Sequence, residues 1–238
     1  MSITLLIATS FSFGFFVESI IGFGGGLIAY SILGFFLDLK EMILAGLYIS
    51  TCASAYIAYN DLKSFDKKIF KSLVPTCLFG TILGVFAFSY FSSAILSFLF
   101  GILLILLAIK TIFFEKFIFP KNFKTQLFLI GGISQGAFGI GGPFIVNALK
   151  NDFKNKSALR TTMATFFMLF NLVRFAQLSL QGQIEPAFFS KIWWTIIPVF
   201  LAIKIGYKIH LKISENLFKK MIGLMTIFAG LKFLTNVF

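Results

Sequence analysis

Apolar positions fill the chain in eight long stretches, and polar positions gather in the short gaps between them. The stretches run 3–37, 42–59, 69–91, 94–114, 126–149, 157–180, 187–207 and 215–238. Most approach or exceed the roughly 20 residues that a helix needs to span hydrocarbon. No charge interrupts 72–109. The pattern predicts an all-α, polytopic membrane helix bundle with no soluble domain of useful size. No basic residue precedes Lys40, so the first stretch is not expected to be a cleaved signal peptide.

Two stretches are broken. Gly22-Phe23-Gly24-Gly25-Gly26 interrupts the first, and Gly139-Ile140-Gly141-Gly142-Pro143 interrupts the fifth. Unbroken, the first would make a helix of about 52 Å, much longer than the membrane core. The two clusters match at an offset of 117 residues, which also sets Gly14 on Gly131 and Glu18 on Gln135. Pro75 matches Pro198 at an offset of 123, and Gly101 matches Gly223 and Lys110 matches Lys232 at 122. Two related halves are expected, 1–120 and 121–238, each with four apolar stretches. Duplication of this kind is common in transporters.

Charge bears on topology. Basic residues cluster after the second stretch (Lys63, Lys67, Lys68, Lys71) and the fourth (Lys110, Lys116, Lys121, Lys124). They cluster again after the fifth (Lys150, Lys154, Lys156, Arg160) and the seventh (Lys204, Lys208, Lys212, Lys219, Lys220). If every stretch crossed once, these clusters would divide between the two faces and break the positive-inside rule. If the two broken stretches are hairpins, all the clusters fall on one face. Each half then has a hairpin and three crossings, and the halves are inverted relative to one another. Eight simple crossings with a weak charge bias is the competing topology.

Composition agrees with a membrane protein: 58% of residues are apolar and 13% charged, about half the usual charged share of soluble domains. The 35 Phe suit lipid-facing and interhelical packing. The net charge of +12 follows from the loop lysines and does not call for nucleic acid. Cys52 and Cys77 lie inside apolar stretches without metal-site spacing and read as packing residues. His210, the single histidine, sits between Lys208 and Lys212 and reads as solvated or interfacial. No cofactor or metal is expected, and no nucleophile–base pair points to an enzyme. The glycine clusters lack the βαβ context of a dinucleotide-binding motif.

The breaks carry the candidate chemistry. New half-helices are expected to begin at Leu27 and Phe144, and Pro143 suits a helix start because the N–H it lacks would be unpaired there. Helix N-termini offer N–H groups and dipole to an anion, so Gly24, Gly25, Gly26, Gly141, Gly142 and Pro143 form a candidate substrate site. Glycines placed for close helix packing are the alternative reading. Charges deep in apolar stretches are costly and tend to be functional. Glu18 is therefore a candidate proton carrier, or else a hydrogen-bond partner of the glycine-rich turn. Arg174 would attract an anion, pair with Glu18, or snorkel to an interface. Ser19, Ser134, Gln135, Asn147 and Asn171 are polar positions that would line a path or bond between helices. Pro75 and Pro198 are expected to kink the third and seventh stretches.

The run Glu18-Ser19-Ile20-Ile21-Gly22-Phe23-Gly24-Gly25-Gly26 and its echo from Ser134 to Pro143 resemble the TauE/SafE family of membrane permeases. Duplicated halves and Pro75-(x)4-Gly80-(x)3-Gly84 extend the resemblance over essentially the whole chain. Gly26 departs from it, standing where many relatives carry a proline-like stop. The resemblance implies transport of small anions, often sulfur oxyanions or organosulfonates such as sulfite, outward and linked to the proton gradient. The residues themselves indicate an anion but not sulfur. An anion channel or a non-transporting scaffold subunit is the alternative. The expected location is the bacterial inner membrane, with loops 61–71, 110–125, 150–160 and 204–220 cytoplasmic. The expected partners are a small anionic substrate and the lipid bilayer, with self-association left open.

Overall fold

The computed structural model describes residues 2–21, 24–114, 119–149, 152–153, 155–208 and 215–235. Gly22 and Phe23 of the first cluster, His210, and parts of the three later lysine-rich loops lie outside the described residues. The first half contains α1 (Ile3–Ile21), α2 (Gly25–Leu33), α3 (Leu39–Asn60), α4 (Lys67–Tyr90) and α5 (Ser93–Phe113). The second contains α6 (Lys124–Phe138), α7 (Gly142–Leu149), α8 (Lys156–Leu180), α9 (Pro186–Ile192), α10 (Ile196–Lys208) and α11 (Glu215–Thr235). Helices α1, α3, α4, α5, α8 and the run Pro186–Lys208 are long and apolar enough to cross a membrane. Polar caps start several of them. Asp66 Oδ1 accepts from the amides of Lys68 and Ile69 at 3.0 Å, and Asn155 Oδ1 accepts from Ala158 at 2.8 Å.

Both broken stretches fold back on themselves. A Cβ added to Gly14 would lie 3.4 Å from the Ala29 amide, and one added to Gly25 would lie 2.9 Å from the Gly14 carbonyl oxygen. In a straight helix, positions 14 and 29 would be about 22 Å apart. Likewise a Cβ on Gly131 of α6 would come within 2.8 Å of Ile145 in α7. Backbones approach this closely only where side chains are missing, so the glycines serve both the turn and the packing. The half-helices start at Gly25 and Gly142, two residues before the expected Leu27 and Phe144. Side chains from α1 and α6 cap the chain at each break and let the helix begin earlier. At Gly24 the backbone has φ 97°, which glycine alone adopts without strain.

The main helix pairings form a pattern that exchange of the two halves leaves unchanged, although α2 also lies against α11 without a comparable α7–α5 contact. Helix α4 lies along α6, α10 along α1, α3 along α8 and α5 along α11. Where α5 crosses α11, a Cβ on Gly101 would meet Gly230 O at 2.8 Å, and one on Gly223 would meet Ala108 O at 3.7 Å. Shifting Gly101 and Ala108 by the offset of 122 gives Gly223 and Gly230, so one contact maps onto the other. Gly84 against Gly136 in α4 and α6 likewise matches Gly206 against Ser19 in α10 and α1.

Contacts also sort the connections into two ends. Asp61 accepts from Ser157 Oγ at 2.8 Å, and Thr162 Oγ1 accepts from the Asp66 amide at 3.0 Å. Lys124 is 2.7 Å from Asp152, and the Arg160 guanidinium lies 4.5 Å from the centre of the Tyr207 ring. All four lysine-rich regions therefore reach one end of the bundle. At the other end, Lys232 donates to Gly34 O, Lys40 lies 5.6 Å from the Phe88 ring, and Ser89 bonds Gln181.

The two prolines behave differently. Three residues of 3-10 helix, Trp193–Thr195, separate α9 from α10 just before Pro198. This is the interruption expected where proline's ring meets the carbonyl four residues earlier. Helix α4 runs through Pro75 as one element, held against α6 by close contact at Cys77, Thr81 and Gly84.

Candidate functional site

Both breaks open onto one cavity. Its walls are Phe15 and Glu18 of α1, Gly24, Gly26 and Leu27 of the first break, and Ser50 and Ser54 of α3. The second half adds Gln135, Gly139, Ile140, Gly142, Pro143, Phe167 and Asn171. The cavity has a volume of about 30 Å³, the scale of a small ion or two waters at roughly 10–15 Å³ each. Gly26 faces open space, since a Cβ there would meet nothing within 4 Å.

Glu18 and Gln135 do the same structural work in the two halves. Glu18 Oε2 accepts from the Gly25 amide at 2.6 Å, and Gln135 Oε1 accepts from the Gly141 amide at 3.0 Å. Both side chains are buried, at 6% and 1% exposure. The amides of Gly25 and Gly141 are thus engaged and not available to a ligand. That of Gly142, which lines the cavity, finds no acceptor among the described residues and remains for it.

From Gln135 a polar chain runs to a buried cation. Gln135 Nε2 donates to Asn171 Oδ1 at 3.0 Å, and Arg174 Nη1 donates to the same oxygen at 3.2 Å. Arg174 Nε donates to Gly136 O at 2.9 Å. The Arg174 side chain is 1% exposed, so it does not snorkel. Among the described residues it meets no carboxylate within ion-pair distance, Glu18 included, and its buried Nη2 has no hydrogen-bond partner. It stands behind the cavity wall, touching it through Gly139 and Asn171. A buried charge without a counterion is expensive, so this one calls for negative charge nearby.

Other expected site positions lie elsewhere. Ser19 Oγ donates to Phe16 O at 2.6 Å and faces Gly206 of α10. Asn147 Oδ1 accepts from the Phe119 amide at 3.3 Å. Ser134 is buried on α6. None of these three lines the cavity. Gly25 and Gly141 serve it through their capped amides, whereas Gly24, Gly26, Gly142, Pro143, Gln135, Asn171 and Glu18 line it directly. Reasoning from the sequence missed Ser50 and Ser54 in a stretch otherwise read as a plain crossing. The offset of 117 would have found Ser54, because it pairs Ser54 with Asn171.

That offset also exposes an asymmetry. Glu18, Ser54 and Ile57 in the first half correspond to Gln135, Asn171 and Arg174 in the second. The carboxylate belongs to one half and the guanidinium to the other. Among the described residues no group of three or more His, Cys, Asp or Glu could hold a metal ion.

A protein named "probable membrane transporter protein" from Methanocaldococcus jannaschii is 25% identical, the match covering 94% of each chain. No solved structure matches the chain. The family profile described as "Sulfite exporter TauE/SafE" matches residues 6–233, nearly the whole length including both broken stretches and all the cavity-lining residues. The chain is a membrane transporter protein of the TauE/SafE family.

Proposed function

We propose that this transporter is a proton-coupled secondary carrier that exports a small anion, a sulfur oxyanion or organosulfonate such as sulfite. The observation that carries the anion is Arg174: a fully buried guanidinium with an unpartnered nitrogen, one residue away from a cavity where two helix N-termini converge. The anion would take the amide of Gly142 as a donor and the Arg174 field as its countercharge. Sulfur in the substrate is supported by the family alone.

Proton coupling rests on Glu18. Gln135 shows that a neutral amide can cap a glycine break of this kind. A carboxylate at Glu18 is therefore more than the cap requires, and its distinguishing property is that it can carry a proton. The two halves, 1–120 and 121–238, are taken as inverted repeats that rock about the cavity, exposing it to each face in turn. The exchange-symmetric packing and the shared end of the lysine-rich loops support this reading. Those loops would face the cytoplasm, placing the protein in the cytoplasmic membrane of its cell.

The test is sulfite flux in proteoliposomes under an imposed pH gradient. Wild-type protein should drive saturable flux that collapses when the gradient is dissipated. Arg174→Ala should abolish it at every substrate concentration. Gradient-independent flux by the wild type would remove the coupling, and absence of flux for every sulfur oxyanion and sulfonate would remove the substrate class.

A further inference from the structure

Hydroxyl side chains inside apolar helices usually bond back to a carbonyl three or four residues earlier. Several of those in this chain do. Thr51 donates to Leu47 O at 2.6 Å, Ser31 to Leu27 O at 2.9 Å, Ser72 to Ile69 O at 2.7 Å and Thr165 to Thr161 O at 2.9 Å. Ser50 and Ser54 do not: like Ser12 they have no hydrogen-bond partner among the described residues, but unlike it they line the cavity. They are four residues apart on α3, so their side chains point to the same side one turn apart. Ser54 is 2% exposed, which places an uncommitted hydroxyl in a buried site.

The rest of the wall sharpens the picture. Phe15, Leu27, Ile140 and Phe167 offer no hydrogen bonds, and Gln135 and Asn171 are already committed to each other, to Gly141 and to Arg174. Ser50 and Ser54 are the uncommitted side-chain hydroxyls among the described residues of this wall. We infer that they are the specificity-determining residues of the transport site, holding two oxygens of one oxyanion and so selecting it over a spherical anion. This rests on the transport reading above. The field of Arg174 attracts any anion, whereas a pair of hydroxyls 1 turn apart rewards only a ligand with separate acceptor oxygens. A hydroxyl also accepts, so an oxyanion that retains one proton fits the same pair.

The experiment measures sulfite uptake into proteoliposomes by the full chain, with chloride as competitor, for Ser50→Ala, Ser54→Ala, the double variant and Ser54→Thr. Each alanine should raise KM for sulfite on the order of tenfold and leave maximal flux within about twofold, as loss of a hydrogen bond to a charged group predicts. The double variant should be inhibited by chloride at concentrations the wild type ignores. Ser54→Thr, which keeps the hydroxyl, should restore wild-type KM. Thermal unfolding midpoints should stay at the wild-type value, because no bond within the protein is removed. Unchanged KM in both alanine variants, with wild-type flux intact, overturns the role of the serines and leaves the transport reading standing. A raised KM accompanied by a lowered unfolding midpoint overturns it too, in favour of a structural role. Absence of wild-type flux for sulfite and for every other sulfur oxyanion and sulfonate overturns that substrate class and this inference with it.

Discussion

Glu18 and Gln135 cap equivalent breaks with different chemistry, one an acid and the other an amide. The protein thereby contains its own control for the acid. Glu18→Gln should keep the bond to the Gly25 amide and shift stability by no more than about 1 kcal/mol, the scale of one net hydrogen bond. If Glu18 carries the coupled proton, flux in that variant should no longer respond to the pH gradient, although substrate exchange continues. A variant that unfolds, or one that remains fully gradient-driven, would contradict that division of labour. Asp61 offers a second test at this scale, at the lysine-rich end. Partial burial alone would raise its carboxyl, but hydrogen bonds from Ser64 and Ser157 and the nearby Arg160 charge hold it below the usual carboxylate range. A depressed folded-state pKa means that the stability it contributes is present above the unfolded value. That contribution is lost as pH falls below roughly 3.9 and through the lower folded value. Asp61→Asn should therefore lower the unfolding midpoint at pH 7, and the gap from wild type should close in strong acid. The site is partly exposed, so the effect should stay within about 1 kcal/mol.

At the scale of elements, the glycines of the breaks and crossings do distinct jobs, and substitution separates them. Gly24 has φ 97° and open space around its missing side chain. Gly24→Ala should thus cost only backbone strain, about 1–2 kcal/mol. Gly136 has ordinary helical geometry, but a Cβ there would come 2.9 Å from Gly84 Cα where α4 lies on α6. Gly136→Leu should wedge these helices apart, at or beyond the upper end of the roughly 1–3 kcal/mol typical of overpacking. Unfolding midpoints in one detergent would compare the two. Equal, small losses would mean that the α4–α6 crossing is looser than its geometry.

Across the whole molecule, the hairpins decide which connections share a face. With α2 and α7 turning back, the loops carrying Lys63 and Lys124 and the start of α8 meet at one end, and the turns near Gly34 and Gln181 meet at the other. A cysteine introduced at Lys63 and another at Glu185, in separate proteins, should label from opposite sides of the membrane with an impermeant maleimide. With the lysine-rich end in the cytoplasm, only Glu185→Cys should react in intact cells. Reaction of both from one side would contradict the arrangement. Cys52 is only partly buried, so the background should be established with the unsubstituted chain.

Hydrophobic length determined the membrane class, and the spacing of the stretches located every crossing helix to within a few residues. The glycine clusters marked the breaks, because helix continuity in lipid is a local property that a run of glycines undermines locally. The charge pattern points to hairpins, because only they bring the lysine-rich loops to one face. Tertiary structure alone decided what the breaks do. It engaged the Gly25 and Gly141 amides with Glu18 and Gln135, moved Ser19 and Asn147 away from the cavity, and isolated Arg174 from Glu18. It also brought α3 to the cavity with Ser50 and Ser54, which no local pattern singles out. The physical reason is that a hydroxyl or carboxyl in an apolar helix has the same local signature whether it bonds a neighbouring turn or faces a ligand. Only the packing of helices distant in sequence determines which of its partners is within reach.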